Sequence, residues 1–306
     1  MRSWVRLAAA ALATALVCAG CGFGPGVGSG AVSVRVTRDF GADALKTVNA
    51  GKVSGQQTDM QLLQHHFTVA TRYGGGFVQS IDGQAGTSHQ DDWFFYVNGV
   101  QAKKGAAALS VHTGDHIWWD LHDWQATDSI PAVVGSFPEP FLHGIDGQRY
   151  PTTLECGSQV KPACNVVSSE FAKFKIPASP QVIGTGSGPD TLSLNVGLWS
   201  QLAPEVAAEL IDKGPGASGV YARFSSDGKH LYLLDAAGKV VKTLGPGAGL
   251  IAATADPTDV PTWLIGGTDR AGVMAAARAL TPSVLAGHFA VAVQGDTRYS
   301  LPLIDH

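Results

Sequence analysis

The chain has 306 residues, of which 45% are hydrophobic and 15% charged, and its formal net charge is −4. This composition supplies enough apolar material for a folded core and differs from that of a disordered chain. The acidic balance argues against a nucleic-acid partner, which requires a basic surface. The length is sufficient for two domains.

The amino end has the pattern of a secretory targeting segment. Arg2 and Arg6 precede an apolar run over residues 7–17, which is too short to span a bilayer as a permanent helix. Cys18-Ala19-Gly20-Cys21 follows, with small residues directly ahead of a cysteine. This ending resembles the lipobox of bacterial lipoproteins, although Cys18 stands where leucine is usual.

The lipobox resemblance implies a lipoprotein signal peptide over residues 1–20 and acylation of Cys21. The mature chain would then be held by its lipid at the extracytoplasmic face of the cell membrane, because two acyl chains give stable attachment. Residues 21–30 form a glycine-rich tether. An ordinary signal peptide cleaved nearby is the alternative.

Export also assigns the cysteines. Cys18 leaves with the signal peptide and Cys21 carries the lipid, so Cys156 and Cys164 remain in an oxidising compartment. We expect these two residues to form a disulfide that closes a small loop. Two reduced thiols or a pair of metal ligands are the alternatives.

Residues 31–125 are predicted to form a first unit, a small α+β domain with one helix on a mixed sheet. Hydrophobic alternation predicts a half-buried strand from residue 32, and Thr58 with Gln61 predicts a capping box for a helix that ends at His66. Further strands are predicted over residues 45–48, 77–81, 93–97 and 116–124.

Residues 130–306 are predicted to form a second unit of α/β architecture. Two segments read as a strand followed by a helix, and the segment between them reads as a three-stranded meander. The predicted strand–helix pairs are 192–198 with 204–213 and 263–265 with 270–280; the meander strands are 220–224, 231–235 and 240–244; two final strands are 289–293 and 299–303.

One motif of the first unit is familiar. The run Trp93-Phe94-Phe95-Tyr96-Val97-Asn98-Gly99, followed by Gly114-Asp115-His116-Ile117-Trp118-Trp119, resembles the transcobalamin-like C-terminal domain family over about residues 32–124. The resemblance implies a small β-grasp-like domain. In vitamin carriers this domain covers a corrinoid bound to a helical barrel. The second unit shows no helical repeat that would form such a barrel. The resemblance therefore supports the fold of the first unit better than it supports cobalamin binding.

The strand from His116 carries the main candidate site. Because successive strand side chains face opposite ways, Ile117, Trp119 and Leu121 are predicted to face the core, and Trp118, Asp120, His122 and Trp124 the other side. The second face mixes aromatic and polar groups, as a recognition surface does. Tyr73 and Phe77 flank a glycine loop that we place near its rim.

Two other interpretations of that face remain open. In the first, the face packs beneath the second unit, with its polar groups paired there. A metal site at Asp120 and His122 has only two ligands, fewer than the usual three or four, so no metal is assigned.

No arrangement of nucleophile, base and oxyanion donor is recognisable, so no catalytic residue is assigned and an enzyme is the less favoured interpretation. The sequence favours a lipid-anchored binding protein for a small cofactor-like ligand, of which cobalamin or a related corrinoid passed to a membrane transporter is the most specific form. A cell-envelope scaffold protein is the alternative. A hydrolase or transferase within residues 130–306 is the third.

Overall fold

The computed structural model describes residues 31–53, 56–87, 90–256 and 260–304. The predicted signal peptide, Cys21 and the tether lie outside these residues. The fold is mixed α+β, with mostly sheets and few helices. Within the described residues, the helices are too short or too polar to span a membrane.

The amino-terminal part consists mainly of strands. Its elements in chain order are β1 (Val32–Arg38), β2 (Asp43–Gly51), α1 (Asp59–His66), β3 (Val69–Arg72), β4 (Phe77–Ile81), β5 (Gln84–Ala85), β6 (Asp91–Val97), β7 (Val100–Gln101) and β8 (His116–Asp123).

The main sheet of this part has the strand order β2-β1-β8-β6-β7. β1 and β8 are parallel, and the other neighbours are antiparallel. Leu62 and Leu63 of α1 pack in one core with Ile117 and Trp119 of β8, so the helix covers one face of this sheet. The predicted capping box is present, since the Thr58 side chain accepts from the Gln61 backbone and the Gln61 side chain from Thr58.

The carboxyl-terminal part alternates strands and helices at first and ends in strands. Its elements are β9 (Thr152–Cys156), α2 (Lys161–Lys173), β10 (Ala178–Val182), β11 (Leu192–Leu198), α3 (Trp199–Leu202), α4 (Val206–Asp212), α5 (Pro215–Ser218), β12 (Ala222–Phe224), β13 (Leu231–Leu234), β14 (Val240–Leu244), β15 (Ala248–Thr254), β16 (Thr262–Gly267), α6 (Arg270–Ala279), α7 (Pro282–Leu285), β17 (Ala290–Gln294) and β18 (Thr297–Leu301).

The large sheet of this part has the order β10-β9-β11-β16-β15-β17-β18. The strands β10, β9, β11 and β16 run parallel to one another, and the pairs β16-β15, β15-β17 and β17-β18 are antiparallel. The meander predicted from the sequence is present as the separate sheet β12-β13-β14. Parallel strands are normally buried on both faces, and β11 and β16 are buried along most of their length.

The two faces of the large sheet have different covers. Helices α2 and α6 pack on one face, where Phe171 and Val273 join Leu194 and Ile265 in a core. α6 lies very close to β15: a Cβ on Gly272 would stand 2.0 Å from the Ala248 carbonyl oxygen, so only glycine fits.

The opposite face of the large sheet, with Leu250, Ala252 and Leu264, shares a core with the meander and with Phe40, Tyr96 and Trp118 of the amino-terminal part. The two parts are therefore joined through an apolar core, and the sheet of the amino-terminal part covers this face.

Several elements of the carboxyl-terminal part were not predicted from the sequence, among them β9, α2, β10 and β15. β15 is alanine- and glycine-rich and buried at every position, so it shows no alternation of apolar and polar residues. α2 has no side-chain N-cap, and its middle contains Asn165, Val166 and Ser168, which favour helix weakly. The second predicted helix, over residues 204–213, is shorter than expected, and a separate turn of helix, Trp199–Leu202, precedes it.

The predicted disulfide is confirmed. Cys156, at the end of β9, is bonded to Cys164, in the first turns of α2, across a sequence separation of eight. The link fixes the start of α2 against the sheet. The β-grasp-like description of the first unit and the boundaries of the two units stay predictions.

Candidate functional site

The alternation predicted along β8 determines where the candidate residues lie. Ile117, Trp119 and Leu121 belong to the core beneath α1. Trp118, Asp120 and His122 point to the opposite face and are buried there, with exposed fractions of 2%, 0% and 2%.

Aromatic rings from both parts enclose His122. Its ring stacks between Phe40 and Phe94, at centroid distances of 4.6 and 4.5 Å, and Phe289 meets its edge at 5.3 Å. Phe289 precedes β17 of the large sheet and also contacts Trp118 at 5.1 Å. The face of β8 therefore packs beneath the carboxyl-terminal part.

Asp120 has hydrogen-bond partners on both carboxylate oxygens. Oδ1 accepts from the Phe40 backbone at 3.1 Å and is 2.7 Å from His122 Nδ1. Oδ2 accepts from the Gly41 backbone at 2.8 Å and from the Thr37 hydroxyl, which itself accepts from Trp118 Nε1 at 2.7 Å. A ligand would reach Asp120 and His122 only if the two parts separated.

The other three candidates lie elsewhere. Trp124 follows β8 and is 38% exposed, and Tyr73 is 87% exposed. The ring of Phe77 lies edge-on to that of Tyr73, with 6.4 Å between the ring centroids. Phe77 also lines a shallow hollow with Phe95 and Trp119. The structure thus brings Trp118, Asp120 and His122 together, and places Tyr73 with Phe77 at a separate surface.

A cavity of about 270 Å³ opens between the two parts, and we call it the junction cleft. It mixes apolar walls with titratable side chains. Its lining from the amino-terminal part is Val97, residues 100–104, Leu109, Ser110, His112 and Asp115, and its lining from the carboxyl-terminal part is Ile145, Asp146, Tyr150, Asp190, Val260 and Pro261.

Asn98 supports one wall of the junction cleft from behind, through its hydrogen bond to the lining residue Asp115. Asn98, in the turn between β6 and β7, donates from Nδ2 to Asp115 Oδ1 and to the Gly144 carbonyl, at 2.9 Å each, and its Oδ1 accepts from the His116 backbone. Both Asn98 and Gly99 have positive φ, as the Asn-Gly turn of a hairpin requires.

Asp115 is a buried carboxylate at the base of the junction cleft. It accepts a 2.7 Å hydrogen bond from the His112 backbone, and its Oδ2 lies 3.6 Å from His112 Nδ1. That side-chain distance exceeds a hydrogen bond, so the attraction there is mainly Coulombic. Asp115 raises the pKa of His112 above its usual value and favours the imidazolium form.

The mouth and the carboxyl-terminal side of the junction cleft carry further polar groups. Lys104 is 3.3 Å from Asp146, an exposed ion pair across the mouth. Burial, followed by the negative charges of Asp190 and Asp146, raises the pKa of Tyr150, so its hydroxyl stays protonated and able to donate. The cleft therefore offers hydrogen-bond donors and acceptors against apolar walls.

Sequence reasoning did not find the junction cleft. His112, Tyr150 and Asp190 come from separate loops, and no local pattern links them. The sequence does predict the Asn98-Gly99 and Gly114-Asp115 turns, and these turns position Asp115 in one wall of the cleft. Gly114 is required there, because a Cβ would stand 2.6 Å from the His143 ring.

No metal centre is visible at either place: the described residues contain no group of three or more His, Cys, Asp or Glu side chains that could hold a metal ion. Asp120 and His122 bind each other.

Comparisons with known proteins add a partial match. Residues 57–123, from the residue before the α1 cap to the end of β8, match the model of a family described as a domain of unknown function (DUF4430). A crystal structure of a putative metal binding protein from Ruminococcus gnavus ATCC 29149 aligns at 18% sequence identity, covering 31% of this chain and 97% of that chain, with a TM-score of 0.26. That likeness is too weak to support a functional assignment. No curated protein matches the sequence.

Proposed function

We propose that this chain is a membrane-anchored binding protein of the extracytoplasmic space, and that it holds a small molecule in the junction cleft. One observation carries the proposal: the cleft lies between two parts of the chain and combines apolar walls with a few fixed polar groups. Binding sites commonly have this composition and this location.

The size of the junction cleft bounds the ligand. At about 270 Å³ it lies just below the range of about 300–1,000 Å³ for drug-sized ligands. A small molecule with an apolar body and polar ends fits this space. A corrinoid, suggested by the transcobalamin-like resemblance, is a much larger macrocycle, and its binding would require the cleft to open.

The polar groups of the junction cleft suggest how such a ligand is oriented. His112 in its imidazolium form and Lys104 at the mouth favour an anionic or hydrogen-bond-accepting end. The Tyr150 hydroxyl stands beside Asp190 and Asp146 and supplies a donor flanked by negative charge. These groups orient a ligand and do not form a nucleophile–base pair.

The anchoring half of the proposal depends on Cys21. Mass spectrometry of the membrane-extracted protein should find an amino-terminal diacylated cysteine at position 21. An unprocessed chain in the cytosol would remove the membrane setting and, with it, the proposed delivery of ligand to a transporter.

Ligand screening tests the binding half. The mature protein in detergent is screened by thermal shift against a metabolite panel that includes cobalamins, and hits are titrated by calorimetry. We expect His112→Gln and Tyr150→Ala to weaken binding of a true ligand, and His65→Gln, at an exposed histidine on α1, to leave it unchanged. A hit with equal affinity for all three variants does not use this cleft.

A further inference from the structure

A second cavity lies on the face of the large sheet opposite α2 and α6, and we call it the acidic pocket. Its volume is about 190 Å³. Glu155 of β9 and Asn195 of β11 form its floor, and Val206 and Leu210 of α4 form one side. Glu155 and Asn195 are direct neighbours in the parallel register of β9 and β11, so their side chains leave the sheet side by side.

Two buried oxygens in the acidic pocket have no partner. Glu155 is 1% exposed and Asn195 is 4% exposed, yet Glu155 Oε2 and Asn195 Oδ1 make no hydrogen bond. Buried polar atoms are nearly always paired, because leaving one unpaired is unfavourable. Asn195 Oδ1 is an acceptor, and so is Glu155 Oε2 in the carboxylate form, so a group that satisfies both must donate.

The neighbouring hydroxyls already bond to one another. Ser187 and Ser193 share a hydrogen bond, and Thr153 donates to Ser193 at 3.1 Å. This chain fixes the wall beside Glu155 without supplying a donor to its Oε2.

The charge of the acidic pocket has one sign. Glu155, Glu205 and Asp256 line it, and its described lining contains no lysine, arginine or histidine. Burial and then the negative charge of Glu205 raise the pKa of Glu155, against a smaller lowering by the Ser187 hydroxyl. Anionic ligands are therefore excluded, and a cation would relieve the repulsion between the carboxylates.

The remaining wall of the acidic pocket is apolar. Val206 is 64% exposed at its mouth, and Leu210 and Val260 lie further along it. A cavity of about 150 Å³ accepts benzene in another protein, so this one has room for a body of slightly more atoms.

We propose that the acidic pocket binds a small organic cation of the alkylammonium class. Its N–H groups donate to Glu155 and Asn195, its charge lies between Glu155 and Glu205, and its alkyl part lies against Val206 and Leu210. A metal ion is a poorer fit, because within the described residues the carboxylates that line the pocket do not form a group of three or more that could hold an ion together. This site is separate from the junction cleft, which it meets only at Val260.

Calorimetric titration of the full mature protein with n-butylammonium tests the proposal. 1-Butanol is the neutral analogue, and tetramethylammonium is the cation without N–H groups. We expect n-butylammonium to bind and the other two to bind at least about tenfold more weakly, since each lacks either the charge or the donors. Equal binding of all three compounds, or no binding of n-butylammonium, would overturn the proposal that this pocket binds an alkylammonium ion.

Variants locate the binding. Glu155→Gln keeps the shape and removes the charge, and we expect affinity to fall roughly ten- to hundredfold. Glu205→Gln, whose side chain caps no helix, should remain folded and reduce affinity about two- to fivefold. Glu209→Gln, on the exposed side of α4, is the matched control. Affinity unchanged in both Glu155→Gln and Glu205→Gln contradicts the assignment. An effect of His112→Gln instead would place the amine in the junction cleft.

Discussion

Asn98 donates a 2.9 Å hydrogen bond from Nδ2 to Asp115 Oδ1, and this bond joins the turn after β6 to the residue that precedes β8. The same amide group reaches the Gly144 carbonyl in the carboxyl-terminal part. One buried side chain therefore fixes the β6–β7 hairpin, the start of β8 and the contact between the two parts. The aromatic strand β6 and the Gly114-Asp115 turn form one motif because this hydrogen bond joins the end of β6 to the start of β8.

Replacing Asn98 should be strongly destabilising. Asn98→Ala leaves Gly144 O and the His116 N–H without their partners and places alanine at a φ of 53°, so we expect a loss of about 3 kcal/mol in the free energy of unfolding. Urea denaturation measures this loss.

Asn98→Gly separates the two causes. Glycine accepts the positive φ but makes none of the side-chain bonds, so it should recover about 1 kcal/mol relative to alanine. If Asn98→Ala is as stable as the wild type, the hydrogen bonds of this turn do not hold the parts together.

Local chemistry made much of this fold predictable. The Thr58 capping box, the Asn98-Gly99 turn and the alternation along β8 depend on neighbouring residues, and the structure shows each of them. The cover over Trp118 and His122 depends on Phe289, which lies far along the chain, so alternation alone does not distinguish an open face from a buried one.

The two cavities could not be predicted from the sequence either, because their linings come from residues that lie far apart along the chain. Glu155 and Asn195 become neighbours only through the pairing of β9 with β11, and β9 was not predicted. In the junction cleft, Tyr150 and Asp190 approach His112 through loops whose paths follow from the docking of the two parts.

Phe289 is the residue on which the packing between the parts most depends. Its ring contacts those of Phe40, Tyr96, Trp118 and His122 at centroid distances of 5.1–5.4 Å, and it is 3% exposed. Phe289→Ala removes all four contacts and leaves a cavity, so we expect a loss of about 3–5 kcal/mol. Thermal or urea unfolding measures it. Val241→Ala, at a 45% exposed position on β14, is the control and should change stability by less than about 0.5 kcal/mol.

The disulfide should stabilise the carboxyl-terminal part. Cys156 and Cys164 close a loop of sequence separation eight, and the loop-entropy relation gives about 2.5 kcal/mol for a loop of this size. We expect the double variant Cys156→Ala with Cys164→Ala to lose roughly that amount in urea denaturation. Reduction of the wild-type protein should give a similar loss. Unchanged stability after confirmed reduction would show that α2 is held in place without the bond.

Asp59 should make stability depend on pH near neutrality. It is the first residue of α1 and fully buried, and neither carboxylate oxygen has a partner in hydrogen-bonding geometry. Burial, with a smaller contribution from Asp115, raises the pKa of Asp59 to about 7, although the Trp119 indole opposes the shift. The folded protein therefore holds a proton on Asp59 that the unfolded chain releases near pH 4.

The sign of the effect follows from this difference. The stabilisation is complete below the unfolded pKa and is lost as the pH rises through the folded pKa. The free energy of unfolding should fall between about pH 4 and pH 7 by at most about 4 kcal/mol from this group. Asp59→Asn cannot ionise, so above pH 7 it should be more stable than the wild type, and its stability should vary less with pH.

Urea denaturation at a series of pH values measures the difference between Asp59→Asn and the wild type. Asp128→Asn, at an exposed aspartate, supplies the control and should follow the wild-type curve. Parallel curves for Asp59→Asn and the wild type across this range would mean that Asp59 is ionised in the folded protein. Its carboxylate would then have a partner that compensates the charge.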